Sequence, residues 1–543
     1  MTTYEIYPVH CLEKVLPDRR PEKLQPCVLR GFANETLSVQ VAYTCTDDAF
    51  GEGDTAFDLG VESPVAQCAS FRSVRPVPCS YPCHGTWDSD YLSTKPGLYP
   101  DLLLPLETTK GIRAIPAQWR SIWVDFTGVP AGEHTVTLLA TDKSGVLARM
   151  EVRLEMSDGR LPEQSLYHTE WFHADCLADY YGVEVFSEEH WRILDNFIAS
   201  AASHGVNTLL TPVFTPPLDT GIGGERTTVQ LVQITKTEAG YDFDFSLLKR
   251  WMSLCKTHGI THLEMPHLFS QWGAVYAPKI IVKNGTAEEQ AFGWHTPVSE
   301  GSYIRFLREF LPALCTFLRE EDWFSRTVFH ISDEPHEEEA ETYAFARNAV
   351  IDLLADCRVM DAISAFAVFE KGIIDHPVVS IDAIHPFLDA GIRPLWAYHC
   401  TMQAVDVPNR FIVMPSARNR ILGTLLYYYE IEGFLHWGFN FYNSKRSVEK
   451  INPYLVTDAG EAFPSGDAFL VYPAPDGSAY ESLRGMTLKQ ALYDYRALKL
   501  AESKIGRMSV LKKLDDLFGR KMTFTDYPRE ISFFEKMRES LQI

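Results

Sequence analysis

His204-Gly205-Val206-Asn207-Thr208-Leu209-Leu210 joins the end of an amphipathic helix, through one glycine, to a short apolar strand. His258-Gly259-Ile260-Thr261-His262-Leu263-Glu264-Met265 repeats the arrangement, and Ala390-Gly391-Ile392-Arg393-Pro394-Leu395-Trp396 and Glu432-Gly433-Phe434-Leu435-His436-Trp437 have the same form. A glycine just past a helix supplies the left-handed C′ residue, and an apolar strand directly after it is how a helix returns to a parallel sheet. Apolar spacing of three and four predicts helices over 187–203, 245–257, 303–319 and 338–356. Candidate strands near 168, 208, 263, 329, 364, 380, 395, 412 and 435 come to about eight once the weakest is removed. That number favours a (β/α)8, TIM-like barrel over 161–504 rather than an open sheet.

Ahead of the barrel the pattern is different. Residues 37–43, 121–126, 133–139 and 148–154 alternate apolar and polar side chains and are separated by glycine-containing turns. They predict a β-sandwich over 1–160, with the Pro- and Tyr-rich stretch 76–105 as a long loop. The tail 505–543 reads as helical and polar, with no chemistry assigned to it.

With 543 residues the chain has room for about three domains. A net charge of −22 excludes a large phosphate-binding surface, so no nucleic acid is expected, and no basic patch suits an anionic membrane. No apolar run is long enough to span a bilayer, and residues 1–20 lack the apolar core of a secretory signal. Eleven scattered cysteines, an odd number, read as free thiols in the cytoplasm. Cys79, Cys83 and His84 lack a second ligand pair, and neither a metal nor another cofactor is expected. The glycines around 221–224 read as a loop over the barrel mouth rather than a phosphate cradle.

Barrel enzymes keep their chemistry at the ends of the strands. Val328-Phe329-His330-Ile331-Ser332-Asp333-Glu334-Pro335 is an apolar strand ending in two carboxylates and stopped by proline. Those acids would also suit the N-terminus of the next helix. At the other strand ends stand Trp171 and His173, His267, Trp396 and Tyr398, and Trp437, Asn440 and Tyr442. Aromatic platforms beside hydrogen-bonding groups suit a sugar, which has an apolar face and a polar rim. Adjacent strand residues point to opposite faces, so Asp333 and Glu334 share a pocket only if the strand breaks at its end. If they do, repulsion and burial raise the pKa of one. The longer Glu334 is expected to be the general acid and Asp333 to stay ionised.

Leu98-Tyr99-Pro100-Asp101-Leu102, Gln118-Trp119-Arg120-Ser121-Ile122-Trp123, Phe214-Thr215-Pro216-Pro217-Leu218-Asp219, Asp333-Glu334-Pro335 and Gly466-Asp467-Ala468-Phe469 together resemble glycoside hydrolase family 123, a group of β-N-acetylgalactosaminidases. The resemblance implies retention assisted by the substrate, whose acetamido oxygen attacks its own anomeric carbon. It implies that Glu334 protonates the leaving oxygen and later activates water, and that Asp333 holds the acetamido N–H. The expected partner is a small oligosaccharide or glycoconjugate, with no oligomeric state indicated. Two alternatives stay open. One is a conventional retaining glycosidase, with Glu334 as acid/base and a late-strand nucleophile such as Glu430 or Glu432. The other is a barrel that binds sugar without turning it over.

Overall fold

The computed structural model describes residues 3–46 and 55–541. They form two compact units, neither continuous in sequence. One comprises Met1–Gln164, Pro408–Tyr428 and Tyr480–Ile543, and the other Ser165–Val407 and Tyr429–Ala479.

The first unit is built on two sheets. In one, strands Tyr4–His10, Thr36–Cys45, Arg120–Thr127, Ala69–Cys79 and Gly97–Pro105 lie side by side and antiparallel. In the other, Val28–Phe32, Gly145–Ser157, Gly132–Asp142 and Ala56–Glu62 are neighbours. Their apolar faces meet in one cluster that includes Val39, Val41, Val124, Leu138 and Val152, all essentially unexposed. The stretch expected as a loop over 76–105 contains the end of strand Ala69–Cys79 and all of its partner Gly97–Pro105. Pro76 and Pro78 are tolerated there because Ala69–Cys79 meets its neighbour Arg120–Thr127 only as far as Val74. Beyond that point it is an edge, with a register shift between Arg75 and Pro76, where a missing N–H costs no ladder bond. The tail supplies helices Arg507–Phe518 and Ile531–Ser540.

The second unit holds a closed barrel of eight parallel strands. In chain order they are β1 Tyr167–Glu170, β2 Thr208–Leu210, β3 His262–Glu264, β4 Thr327–Phe329, β5 Arg358–Ile363, β6 His376–Ser380, β7 Trp396–Tyr398 and β8 Gly433–His436. The candidate strand near 412 is absent from the barrel, and the one near 364 lies earlier, at β5. Gly205, Gly259 and Gly391 carry the left-handed φ expected of C′ residues. Gly433 has another reason to be glycine, because a Cβ there would stand 2.2 Å from the Trp396 ring. The helix expected over 338–356 is broken: Ala340–Asn348 is α-helical and only Ile351–Leu354 turns again, as a 3-10 segment. Val350 and Ile351 fall at the break, where β-branched side chains crowd the preceding turn. Among the described residues no helix is long and apolar enough to cross a membrane.

Candidate active site

A cavity of about 330 Å³ opens at the C-terminal ends of the barrel strands. Asp333 and Glu334 both line it, with Trp171, His173, Tyr398 and Trp437. β4 stops at Phe329, and the chain beyond it stays tethered, with Leu268 N–H bonded to His330 O and Phe269 N–H to Ile331 O. Glu334 then takes a left-handed φ of 44°. That turn ends the strand alternation and lets two consecutive carboxylates face one space. Asp219, Trp272 and Arg446 line the same cavity, also with positive φ. Non-glycine residues held in this region store strain, and strain of this kind gathers at functional sites.

The two acids are held differently. Asp333 is buried and accepts from Gln271 Nε2 at 2.8 Å. The Gln271 amide is oriented by Asp219 N–H, which donates to its Oε1. Glu334 is half-buried and accepts from the Tyr398 hydroxyl. Burial, and then the charge of Glu334, push the Asp333 carboxyl up to about 8, against the pull of Gln271 and His330. Burial also raises Glu334, with Tyr398 and His336 pulling the other way. The free pocket thus retains a proton on the pair, and its more deeply buried member is Asp333, where the sequence suggested Glu334.

The tryptophans and the histidine of the wall spend their ring nitrogens on other protein groups. Trp171 Nε1 donates to Glu264 at 2.8 Å, and Trp437 Nε1 donates to Asp467 at 2.8 Å. His173 Nδ1 lies 3.0 Å from an Arg226 nitrogen, which can only donate, so His173 Nε2 carries the hydrogen it gives to Trp437 O at 2.9 Å. Burial and the Arg226 charge lower His173 to about 3, so it is a neutral wall and not a base. The cavity is lined by aromatic rings together with polar groups that include Asp219, Gln271, Asp333, Glu334, Lys445 and Arg446.

Four of the residues singled out from sequence do not line the cavity. His267 is fully buried behind Trp171, its ring edge-on at 5.4 Å. Asn440 is buried and spends its amide on the backbone N–H and C=O of His173, at 2.9 and 3.1 Å. Tyr442 donates to Val471 O at 2.9 Å. Trp396 begins β7 instead of ending it, stacks on Tyr167 at 5.3 Å and donates to Glu432, which also meets Arg358. Tyr167 begins β1, so this group, with Glu432, belongs to the opposite end of the strands from Asp333. Glu430 and Glu432 do not line the cavity. Lys445, Arg446 and Phe463 do, and sequence reading missed them because they come from a long excursion after β8 whose return is not written in any local pattern.

A larger cavity of about 400 Å³ lies in the first unit, among groups already engaged with one another such as Glu35 and Arg538. It offers no comparable pair of acids on strained backbone.

Residues 171–501 match the family model for the glycoside hydrolase 123 catalytic domain. Among solved structures, a family 123 glycoside hydrolase from Clostridium perfringens, described for glycolipid glycan hydrolysis, has the same fold. The TM-score is 0.72 at 14% identity, over 99% of this chain and 97% of that one. A family 39 glycoside hydrolase from Bacteroides cellulosilyticus is more distant, with a TM-score of 0.33 at 10% identity over 89% of this chain and 82% of that one. No curated protein sequence matches the chain. The match over more than half of the chain carries the assignment: the protein belongs to glycoside hydrolase family 123 and is a glycoside hydrolase.

Proposed function

We propose that the chain removes a terminal β-linked N-acetylgalactosamine with retention, using the acetamido group of the substrate as nucleophile. The observation that carries this reading is a cavity holding Asp333 and Glu334 side by side while the late-strand glutamates stay out of it. The remaining carboxylate on its wall, Asp219, already accepts Arg446 N–H at 2.9 Å.

The sugar stacks on the ring faces of Trp171 and Trp437. Its acetamido N–H donates to Asp333. This donor stabilises the ionised form of Asp333, so the proton of the pair moves to Glu334. Glu334 gives that proton to the glycosidic oxygen as the acetamido carbonyl oxygen bonds to C1 and the C1–O bond breaks. The resulting oxazolinium has its positive charge facing Asp333. Glu334, now a carboxylate, takes a proton from the water that attacks C1, and the acetamido group is restored. No protein nucleophile is required, in contrast to the usual two-carboxylate scheme.

The same reading takes 1–160 as a β-sandwich, 161–504 as a (β/α)8 catalytic barrel and 505–543 as a tail. It sets the enzyme in the cytoplasm, acting on a small oligosaccharide or glycoconjugate related to the glycolipid glycans of the Clostridium perfringens protein.

The test is hydrolysis of p-nitrophenyl β-N-acetylgalactosaminide beside its gluco epimer, with the anomer released followed by NMR. Glu334→Gln and Asp333→Asn are each expected to lower kcat by about 10²–10⁴-fold. A galacto-configured thiazoline, which mimics the oxazolinium ring, is expected to compete with substrate. Cleavage of unacetylated galactosides or glucosides alone would sink the acetamido mechanism. Sugar binding with no turnover of any glycoside would identify an inactive barrel.

A further inference from the structure

Beneath the acid pair lies a group of buried side chains that the reaction itself does not consume. Glu264, at the end of β3, accepts from Thr169 Oγ1, from Trp171 Nε1 at 2.8 Å and from His330 Nε2 at 2.8 Å. The other ring nitrogen of His330, Nδ1, stands 3.3 Å from Asp361 Oδ1 on β5. Asp361 in turn accepts from the Tyr343 hydroxyl and from Ile331 N–H at 3.0 Å. His330, Glu264 and Asp361 are all about 1% exposed. Among the described residues no lysine or arginine pairs with Glu264 or Asp361. His267 lies against the His330 ring, centroids 4.6 Å apart, and its Nε2 is 3.9 Å from Asp333 Oδ1.

A ring with a carboxylate at each nitrogen satisfies both only by donating from both, which requires the imidazolium. Two buried carboxylates without another cation would otherwise be left uncompensated, at a cost of several kcal/mol per ion. We propose that His330 is a permanent imidazolium that acts as a positioning residue, fixing Trp171 in the pocket wall through Glu264 and setting by its charge the proton affinity of the Asp333–Glu334 pair. The charged groups that face it are Glu264 from β3, Asp361 from β5 and Asp333 from its own loop, with neutral His267 stacked on it.

Burial alone would lower His330, but Asp361 and Glu264 override it and push its pKa up to about 10. Burial, and then the His330 charge, keep His267 well below the ordinary histidine range, and the same charge pulls Asp333 down. His267, His330 and Asp361 are also close enough together to share a metal ion. As an imidazolium, however, His330 has no lone pair to offer one.

This inference rests on the proposed acid pair for its kinetic arm only. The first measurement is made on the wild-type protein with ¹⁵N-labelled histidine at pH 9, where ordinary imidazoles are neutral. At least one of the seventeen histidines is expected to keep the signature of two ring N–H groups, and His330→Gln is expected to remove it. Seventeen neutral rings at that pH would overturn the proposal whatever sugar the enzyme cleaves, and whether or not the variant folds. The second measurement is the pH profile of kcat/KM on the glycoside that is hydrolysed. His330→Gln removes a positive charge, raises the affinity of the pair for protons and moves both limbs up by about one pH unit. Glu264→Gln removes a negative charge and moves both limbs down. Loss of activity in both variants with unmoved limbs would mean a merely structural role and would also overturn the proposal.

Discussion

Buried charge is handled differently around the N-terminal sheets and around the acid pair of the barrel. Around the N-terminal sheets each buried acid has a guanidinium: Arg484 grips Asp101 at 2.9 and 2.8 Å, Arg420 grips Asp494 at 2.7 and 3.1 Å, and Arg538 meets both Asp494 and Glu35. Arginine is always charged and its fork matches a carboxylate, so each of these acids faces a fixed positive charge. In the barrel the acids lie beside histidines or beside one another, with Asp333 next to Glu334 and His330 between Glu264 and Asp361. No arginine or lysine pairs with these acids among the described residues, although the barrel unit does hold one buried guanidinium pair, Arg226 with Asp175 at 2.8 Å. The contrast separates charge used for architecture from charge left titratable, as proton transfer to a leaving oxygen requires.

Breaking an architectural pair should have the larger effect on stability. Arg484→Met takes the guanidinium away from Asp101, which is fully buried, and should cost about 3–5 kcal/mol in urea unfolding. Adding Asp101→Leu should recover most of that loss, because an apolar pair can replace a buried ionic one. If the single variant unfolds like wild type, these pairs do not bear on stability and the contrast fails.

The barrel acid should respond with the opposite sign. The Asp333 carboxyl is pushed up to about 8, above its ordinary 3.8, so the folded state binds this proton more tightly than the unfolded state. The stability it contributes is full at low pH, falls as pH rises toward about 8, and is gone above that. Asp333→Asn should therefore be more stable than wild type, with a gain that grows from pH 5 to pH 8.5 and reaches on the order of 2 kcal/mol. Thermal unfolding at several pH values measures it, and a gain that does not vary with pH would contradict the account.

The smallest effect is expected where pairing occurs in water. Arg149 and Glu62 stand 2.9 Å apart, but both side chains are more than half exposed. Arg149→Ala should shift stability by less than about 0.5 kcal/mol. A loss as large as that of Arg484→Met would mean that pairing, rather than burial, decides what these contacts are worth.

Much of this arrangement is written locally. The left-handed glycines at 205, 259 and 391 and the short apolar strands after them need only their neighbours to form, so the barrel was legible from one chain. Asp333 and Glu334 stood out for the same reason: two adjacent acids before a proline are unusual whatever surrounds them. The strands within 76–105 were not legible, since prolines in a strand are tolerated only at an edge, and an edge is defined by what the rest of the sheet leaves unpaired. Trp396 and Tyr398 make the point most sharply. They lie two residues apart on a strand of three, yet one begins it beside Glu432 and the other ends it beside Glu334. Composition at the strand ends was visible in the sequence by itself. Which end each residue occupies, and which polar atoms are already spent on Glu264, Asp467 or Arg226, is decided only by the tertiary structure, because those partners lie tens of residues away. The charge of His330 belongs to the same class, since an imidazole's proton is set by the carboxylates that the closed barrel brings to it.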